Sequence, residues 1–126
     1  MEKNLKINDL NDIYPVLPLR NTVLFPNQII PIYIGRKQSL KLISDINDSD
    51  DKTILVVAQK DGNKENPEPK DLFKTAVIGK VMKVFDMPDN SKSAIVKGIK
   101  RVNLKNFIEQ DIYYKCEYEK IESLKE

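Results

Sequence analysis

Side chains able to do chemistry are scarce in this chain of 126 residues. It contains no histidine, which removes the commonest general base, the commonest metal ligand and the usual catalytic triads. Its single cysteine, Cys116, stands on the apolar face of a strand-like run, where a small core hydrophobe is expected rather than a nucleophile. Phosphate-binding loops of the GxxxxGK type, GxSxG elbows, HExxH and CxxC do not occur. One spacing does match a catalytic pair: Ser49 and Lys52 stand three apart, as in serine–lysine hydrolases. That chemistry needs a desolvated lysine with a lowered pKa. Here Asp50 and Asp51 lie between the two in a solvated turn and favour the charged amine, so catalysis is not expected. The acids Asp45, Asp48, Asp50 and Asp51 lack the calcium-loop spacing and its closing glutamate, and are read as a solvated helix end.

The remaining chemistry is cationic. Net charge is only +2, so bulk electrostatics do not announce a nucleic-acid binder. Arginine occurs only at Arg20, Arg36 and Arg101 among 21 basic residues. Used so sparingly, each is a candidate for a structural position that needs a planar, two-handed donor. Between Lys92 and Lys105 fall Lys92, Lys97, Lys100, Arg101 and Lys105 with no acid. A basic strand of this kind could follow a phosphate backbone, which keeps an RNA-binding reading open. Stacking aromatics do not interleave with these bases, however, and the bases do not keep one strand parity, so a solvated sheet face is favoured.

The elements that must position these residues follow from hydrophobic period. Residues 1–14 are a loosely ordered leader. Val16–Leu19 and Ile29–Ile34 are short strands around a turn at Asn21–Pro26, and Pro31 confines the second to an edge or a bulge. In RKQSLKLISDIN, Leu40, Ile43 and Ile46 recur every three residues and predict one amphipathic helix. ILVVAQ (54–59) reads as a strand buried on both faces. KDGNKENPEPKD (60–71) has no apolar residue beyond its prolines, and a mobile loop is expected. Thr75–Phe85 and Ser93–Leu104 form a hairpin about MPDN (87–90), with Gly98 marking a bulge or sharp bend. Along the last strand Ile112, Tyr114, Cys116 and Tyr118 fall on one face, with Tyr113 and charged residues on the other. About six strands and one helix, without a βαβ rhythm, predict a mainly β fold: an open, mostly antiparallel barrel. The longest apolar runs are too short to span a bilayer, and a lone cysteine suits a reducing compartment, so a cytoplasmic protein is expected.

VLPLRNTVLFPNQIIPIYIGRKQSLKLI closely resembles the opening of Lon proteases, with its leucine–proline–leucine–arginine start, its phenylalanine–proline turn and a glycine–arginine step into a helix. ILVVAQK, DLFKTAVIGKV and VKGIKRV, the last with glycine and arginine three apart, continue the resemblance over roughly residues 15 to 120. The resemblance implies the first lobe of an amino-terminal domain, here 15–122, with a PUA-like barrel. In that family the lobe precedes helical, AAA+ ATPase and serine–lysine protease domains, and 123–126 would begin the connection to them. The implied parent is a homo-hexameric serine endopeptidase that uses ATP and Mg to degrade misfolded and regulatory proteins. Its amino-terminal domain helps to recognise substrates and supports assembly. The sequence stops at Glu126, before any ATPase or protease motif, so no catalytic or cofactor-binding position carries over. A fragment of a longer protease is implied, or a stand-alone relative of the domain.

The function expected is therefore recognition of unfolded or regulatory polypeptides, with a PUA-like RNA-binding module built on 92–105 as the alternative. Binding varied unfolded chains calls for exposed, adaptable apolar side chains. Met87 and Pro88 at the hairpin tip, Phe25 in its turn, Tyr33 on the proline-limited strand and Phe107 beyond Gly98 are the candidate contacts. Phe25 and Phe107 equally suit plugs for the ends of a barrel. Arg20, Arg36, Gly98 and Arg101 are the candidate structural residues.

Overall fold

The computed structural model describes residues 13–109 and 112–121; most of the expected leader and the connection at 123–126 lie outside them. The strands are β1 (Ile13–Leu19), β2 (Ile29–Ile34), β3 (Thr53–Ala58), β4 (Thr75–Asp86), β5 (Lys92–Glu109) and β6 (Tyr114–Lys120), with one helix, α1 (Lys37–Asn47). They form one mixed sheet in the order β2-β5-β4-β3-β1-β6. β5 pairs again with β6, so the sheet curls back on itself into an open barrel while β2 remains at an edge. Among the described residues no helix is long and apolar enough to cross a membrane.

Every pairing is antiparallel except β1 with β3, which run parallel. A parallel pair needs a long crossover, supplied here by β2 and α1 together, and that mixed connection hides it from a search for a βαβ rhythm. β1 starts at Ile13, ahead of the expected Val16. It changes partner along its length: Ile13–Pro15 face β6 and Val16–Leu19 face β3. Neither Pro15 nor Pro18 therefore sits between two paired strands, and Pro31 sits in the edge strand β2, where a missing N–H is tolerated.

The sheet separates two cores. Leu42, Ile43 and Ile46 of α1 close the first over Leu17, Ile34, Ile54, Val56 and Val96. The second lies beneath β6, where Val16, Leu55, Val57, Val102 and Leu104 surround Cys116. β3 serves both, because Ile54 and Val56 face one core while Leu55 and Val57 face the other. β5 serves both by a different device. Gly79 lies opposite Gly98 but Ile78 lies opposite Lys100, which leaves Ile99 as an extra residue, the bulge that Gly98 signalled. Before it Ala94 and Val96 enter the first core; after it Val102 and Leu104 enter the second.

Two expectations need correction. Segment 60–71 is not detached from the body: buried Gln59 donates from Nε2 to the Asp61 and Lys64 carbonyls at 3.0 Å each. A 3-10 turn at Pro69–Asp71 then delivers Leu72 into the second core. Composition missed these contacts because Gln59 holds the loop by its backbone carbonyls, which no residue type records. Tyr113 does not belong to a polar outer face, since it precedes β6, packs on the first core and donates its hydroxyl to Asp45 Oδ2 at 2.6 Å. Ile112, also ahead of the strand, is exposed.

Candidate polypeptide-binding surface

The catalytic-looking pair is a helix terminus. Lys52 Nζ donates to the carbonyls of Ile46 (3.2 Å), Asn47 (2.8 Å) and Ser49, where a cation also complements the helix dipole. Ser49 Oγ donates to the Asp51 carbonyl at 2.6 Å, so neither group is directed at the other's reactive atom. Burial pushes the Cys116 thiol up to about 11, which keeps it protonated. Among the described residues no group of histidine, cysteine, aspartate or glutamate could hold a metal ion.

Two of the arginines fasten loop 60–66. Arg36 Nη1 donates to Gln59 Oε1 at 2.6 Å and to the Glu65 carbonyl at 3.3 Å, while Nη2 reaches the Pro18 carbonyl at 3.0 Å. Burial, then the neighbouring Arg20 charge, lowers its pKa, and Glu65 opposes that shift. Arg20 Nε donates to the Gly62 carbonyl at 2.6 Å, and its guanidinium lies 3.7 Å from the Glu65 carboxylate. Gly98 fastens the other turn, 25–28, through Asn27 N–H to its carbonyl and its own N–H to the Gln28 carbonyl, both at 2.8 Å. A Cβ on Gly98 would stand 2.3 Å from the Phe25 carbonyl oxygen, so only glycine fits.

Exposed apolar side chains gather on the outer face of β2, β5 and β4. Ile29, Pro31 and Tyr33 point outward while Ile30, Ile32 and Ile34 point in. Across the strands Tyr33, Ser93 and Phe85 form one row, and Ile29, Lys97 and Lys80 another. Met82 is the extra residue where Val81 faces Val96 and Lys83 faces Ile95, and it is 55% exposed. Tyr33 is 70% exposed. Lys83 Nζ stands over the Phe85 ring, 5.4 Å from its centre. At the hairpin end Met87 is 41% exposed and Pro88 is exposed beside it.

A second apolar surface lies at the opposite end of β4. Val23, Phe25 and Phe73 rim a groove of about 460 Å³ floored by Leu19, Leu24 and Val56. The Arg101 guanidinium stands over the Phe25 ring at 6.0 Å. Phe107 lies elsewhere, half-buried against the second core with its ring edge-on to Tyr114 at 5.9 Å. Of the residues named from sequence, Tyr33, Met87 and Pro88 share the β2–β5–β4 end, and Phe25 stands apart with Arg101. Ile29, Met82, Phe85 and Phe73 were missed. Strand parity on β2 could have found Ile29, but the bulge at Met82 shifts parity along β4 and hides Met82 and Phe85.

The sequence matches the family described as the ATP-dependent protease La (LON) substrate-binding domain over residues 13–126. This chain belongs to that family. It is 37% identical over 109 residues to Lon protease of Buchnera aphidicola (strain APS), which covers 86% of this chain and 14% of the relative. It is 41% identical over 108 residues to Lon protease of Parabacteroides distasonis, covering 85% and 13%. The LON domain thus spans about one seventh, 14% and 13%, of the length of these curated relatives. Its fold is that of the N-terminal domain of Mycobacterium avium complex Lon protease, with a TM-score of 0.71 at 17% identity over 90% of this chain and 57% of that one. The Lon N-terminal domain protein from Xanthomonas campestris gives 0.64 at 15% identity, over 84% and 57%.

Proposed function

We propose that this LON domain captures unfolded or regulatory polypeptides for an ATP-dependent serine protease and contributes recognition rather than chemistry. The observation that carries the reading is the outer face of β2–β5–β4, where Tyr33, Met82 and Phe85 stand exposed on the sheet and Met87 at its hairpin end. Methionine and aromatic side chains adapt to varied partners, and the sheet holds them in place without needing a rearrangement. ATP with Mg, peptide-bond hydrolysis and homo-oligomeric assembly belong in this reading to other parts of the parent protein, and the setting is cytoplasmic. The matching LON proteases and the family description support it.

The test is binding of a permanently unfolded model protein to this chain, followed at rising salt. Apolar capture should persist at high salt, whereas binding of RNA by Lys97, Lys100, Arg101 and Lys105 should weaken steeply. The double variant Met82→Asp, Phe85→Asp should lose most binding at an unchanged melting temperature. Undiminished binding by a folded double variant sinks the assignment of this face.

A further inference from the structure

The groove beside Phe25 differs from the β2–β5–β4 face in shape and in charge. Its volume, about 460 Å³, falls within the range of ligand clefts, roughly 300–1,000 Å³. Its floor is aliphatic and its rim is Val23, Phe25 and Phe73, each about half exposed. The charged side chains that line it are Lys74 and Arg101. Among the described residues neither has a carboxylate within ion-pair distance. The Phe25 ring holds the Arg101 guanidinium at the rim, while its N–H donors meet no carboxylate among the described residues. An apolar slot with unneutralised cations at its mouth favours an apolar side chain that brings its own anion.

We propose that this groove receives a large apolar side chain of an unfolded polypeptide whose adjacent residue is aspartate or glutamate, the carboxylate being taken by Arg101 and Lys74. The inference rests on the polypeptide-capture reading and narrows it to a class of segment. The planar guanidinium suits a carboxylate through paired N–H donation, and Lys74 adds a second charge without fixed geometry. Segments with lysine beside the apolar residue are disfavoured here by like-charge repulsion, which gives the domain discrimination that hydrophobicity alone does not.

The test uses the whole chain and three fluorescent peptides, capped at both ends, in which one phenylalanine is flanked by glutamate, glutamine or lysine. At low salt the glutamate peptide should bind about tenfold more tightly than the lysine peptide, and the gap should close as salt rises. Arg101→Glu, exposed and outside the core, should reverse that order, with Lys74→Glu as the second variant if the first melts early. Equal affinities unmoved by either charge reversal overturn the inference and leave polypeptide capture standing. Failure of all three peptides to bind overturns the capture reading and the inference with it. Binding that appears only with an uncapped carboxyl terminus overturns the side-chain assignment. Displacement of the glutamate peptide by single-stranded RNA at lower concentrations than by unlabelled peptide overturns the polypeptide assignment in favour of nucleic acid.

Discussion

The connections at the two ends of the barrel are held in opposite ways. Turn 25–28 is fastened by Gly98 and loop 60–66 by Arg20 and Arg36, all distant in sequence, while Gln59 adds bonds from the root of the loop itself. The 87–91 tip holds itself. Met87 N–H donates to the Ser91 carbonyl, Asp89 accepts from Ser91, Lys92 pairs with Asp86, and Asn90 adopts φ 71°. Long-range fastening makes a connection part of the folding unit, whereas local fastening leaves the residues between the contacts free to change. The apolar tip is therefore the region where surface chemistry can alter without loss of the fold.

The largest effect expected from this contrast is at Gly98. A methyl group there meets the Phe25 carbonyl, a backbone atom that cannot move aside without displacing turn 25–28. Gly98→Ala should cost about 3 kcal/mol, read as the shift in urea midpoint. Gly62, whose added Cβ would first meet the side chain of Asn21 rather than backbone, provides the control. A loss at Gly98 no larger than at Gly62 would show that the turn is not held as described.

Next comes Arg36. Its two terminal nitrogens serve separate acceptors, Gln59 Oε1 and the Pro18 carbonyl, and a lysine ammonium cannot span both. Arg36→Lys should cost about 2 kcal/mol, because the buried Gln59 amide loses a charged partner. Arg20→Lys should cost less, since its ion pair with Glu65 is exposed, yet more than Lys70→Ala. Equal melting temperatures for Arg20→Lys, Arg36→Lys and Lys70→Ala would remove the fastening role of the arginines.

These two sites show how much the sequence made legible. Gly98 announced a bulge because glycine inside an apolar strand has few other uses, and the scarcity of arginine pointed to Arg20 and Arg36. The helix, the doubly buried strand at 54–57 and the edge position of Pro31 followed from period and from proline chemistry. The parallel pairing of β1 with β3 was not legible, because it depends on which strands meet after a crossover. Loop 60–71 misled for a related reason: its contacts run from Gln59 and Arg36 to loop carbonyls, and a carbonyl leaves no mark in composition. The candidate surface was half legible. A turn tip identified Met87, but Met82 and Phe85 reach the surface only through a register shift that no residue type signals.

A smaller effect tests a third fastening, from Tyr113 to Asp45. The Tyr113 hydroxyl, and then Lys41, hold the Asp45 carboxyl below its usual range, while burial and Asp45 push the Tyr113 hydroxyl up to about 12. A depressed carboxyl contributes stability above its unfolded pKa, near 3.9, and loses it as pH falls through the lower folded value. The raised hydroxyl contributes below its unfolded pKa, near 10, and loses it as pH rises through about 12. Tyr113→Phe should therefore cost about 1 kcal/mol at neutral pH, with the gap to the parent narrowing below about pH 4 and again above about pH 10. A gap that stays constant across that range would mean the hydroxyl contributes only packing.

The smallest effect on stability, and the one that bears most on function, is expected at Met87. This side chain precedes a turn whose bonds all involve backbone or other side chains, and it belongs to neither core. Met87→Asp removes apolar surface already 41% exposed and adds a charge that water solvates fully. The change in stability should stay within about 0.5 kcal/mol, while binding of an unfolded model protein weakens several-fold. The same substitution at Phe107, half-buried against Tyr114, should do the reverse by melting the domain early. The pair of variants thus separates a surface that meets polypeptide from one that builds the barrel. If Met87→Asp binds as tightly as the parent at equal stability, the hairpin tip is not part of the capture surface, and the contacts must lie further along β2 and β4 with Tyr33 and Met82.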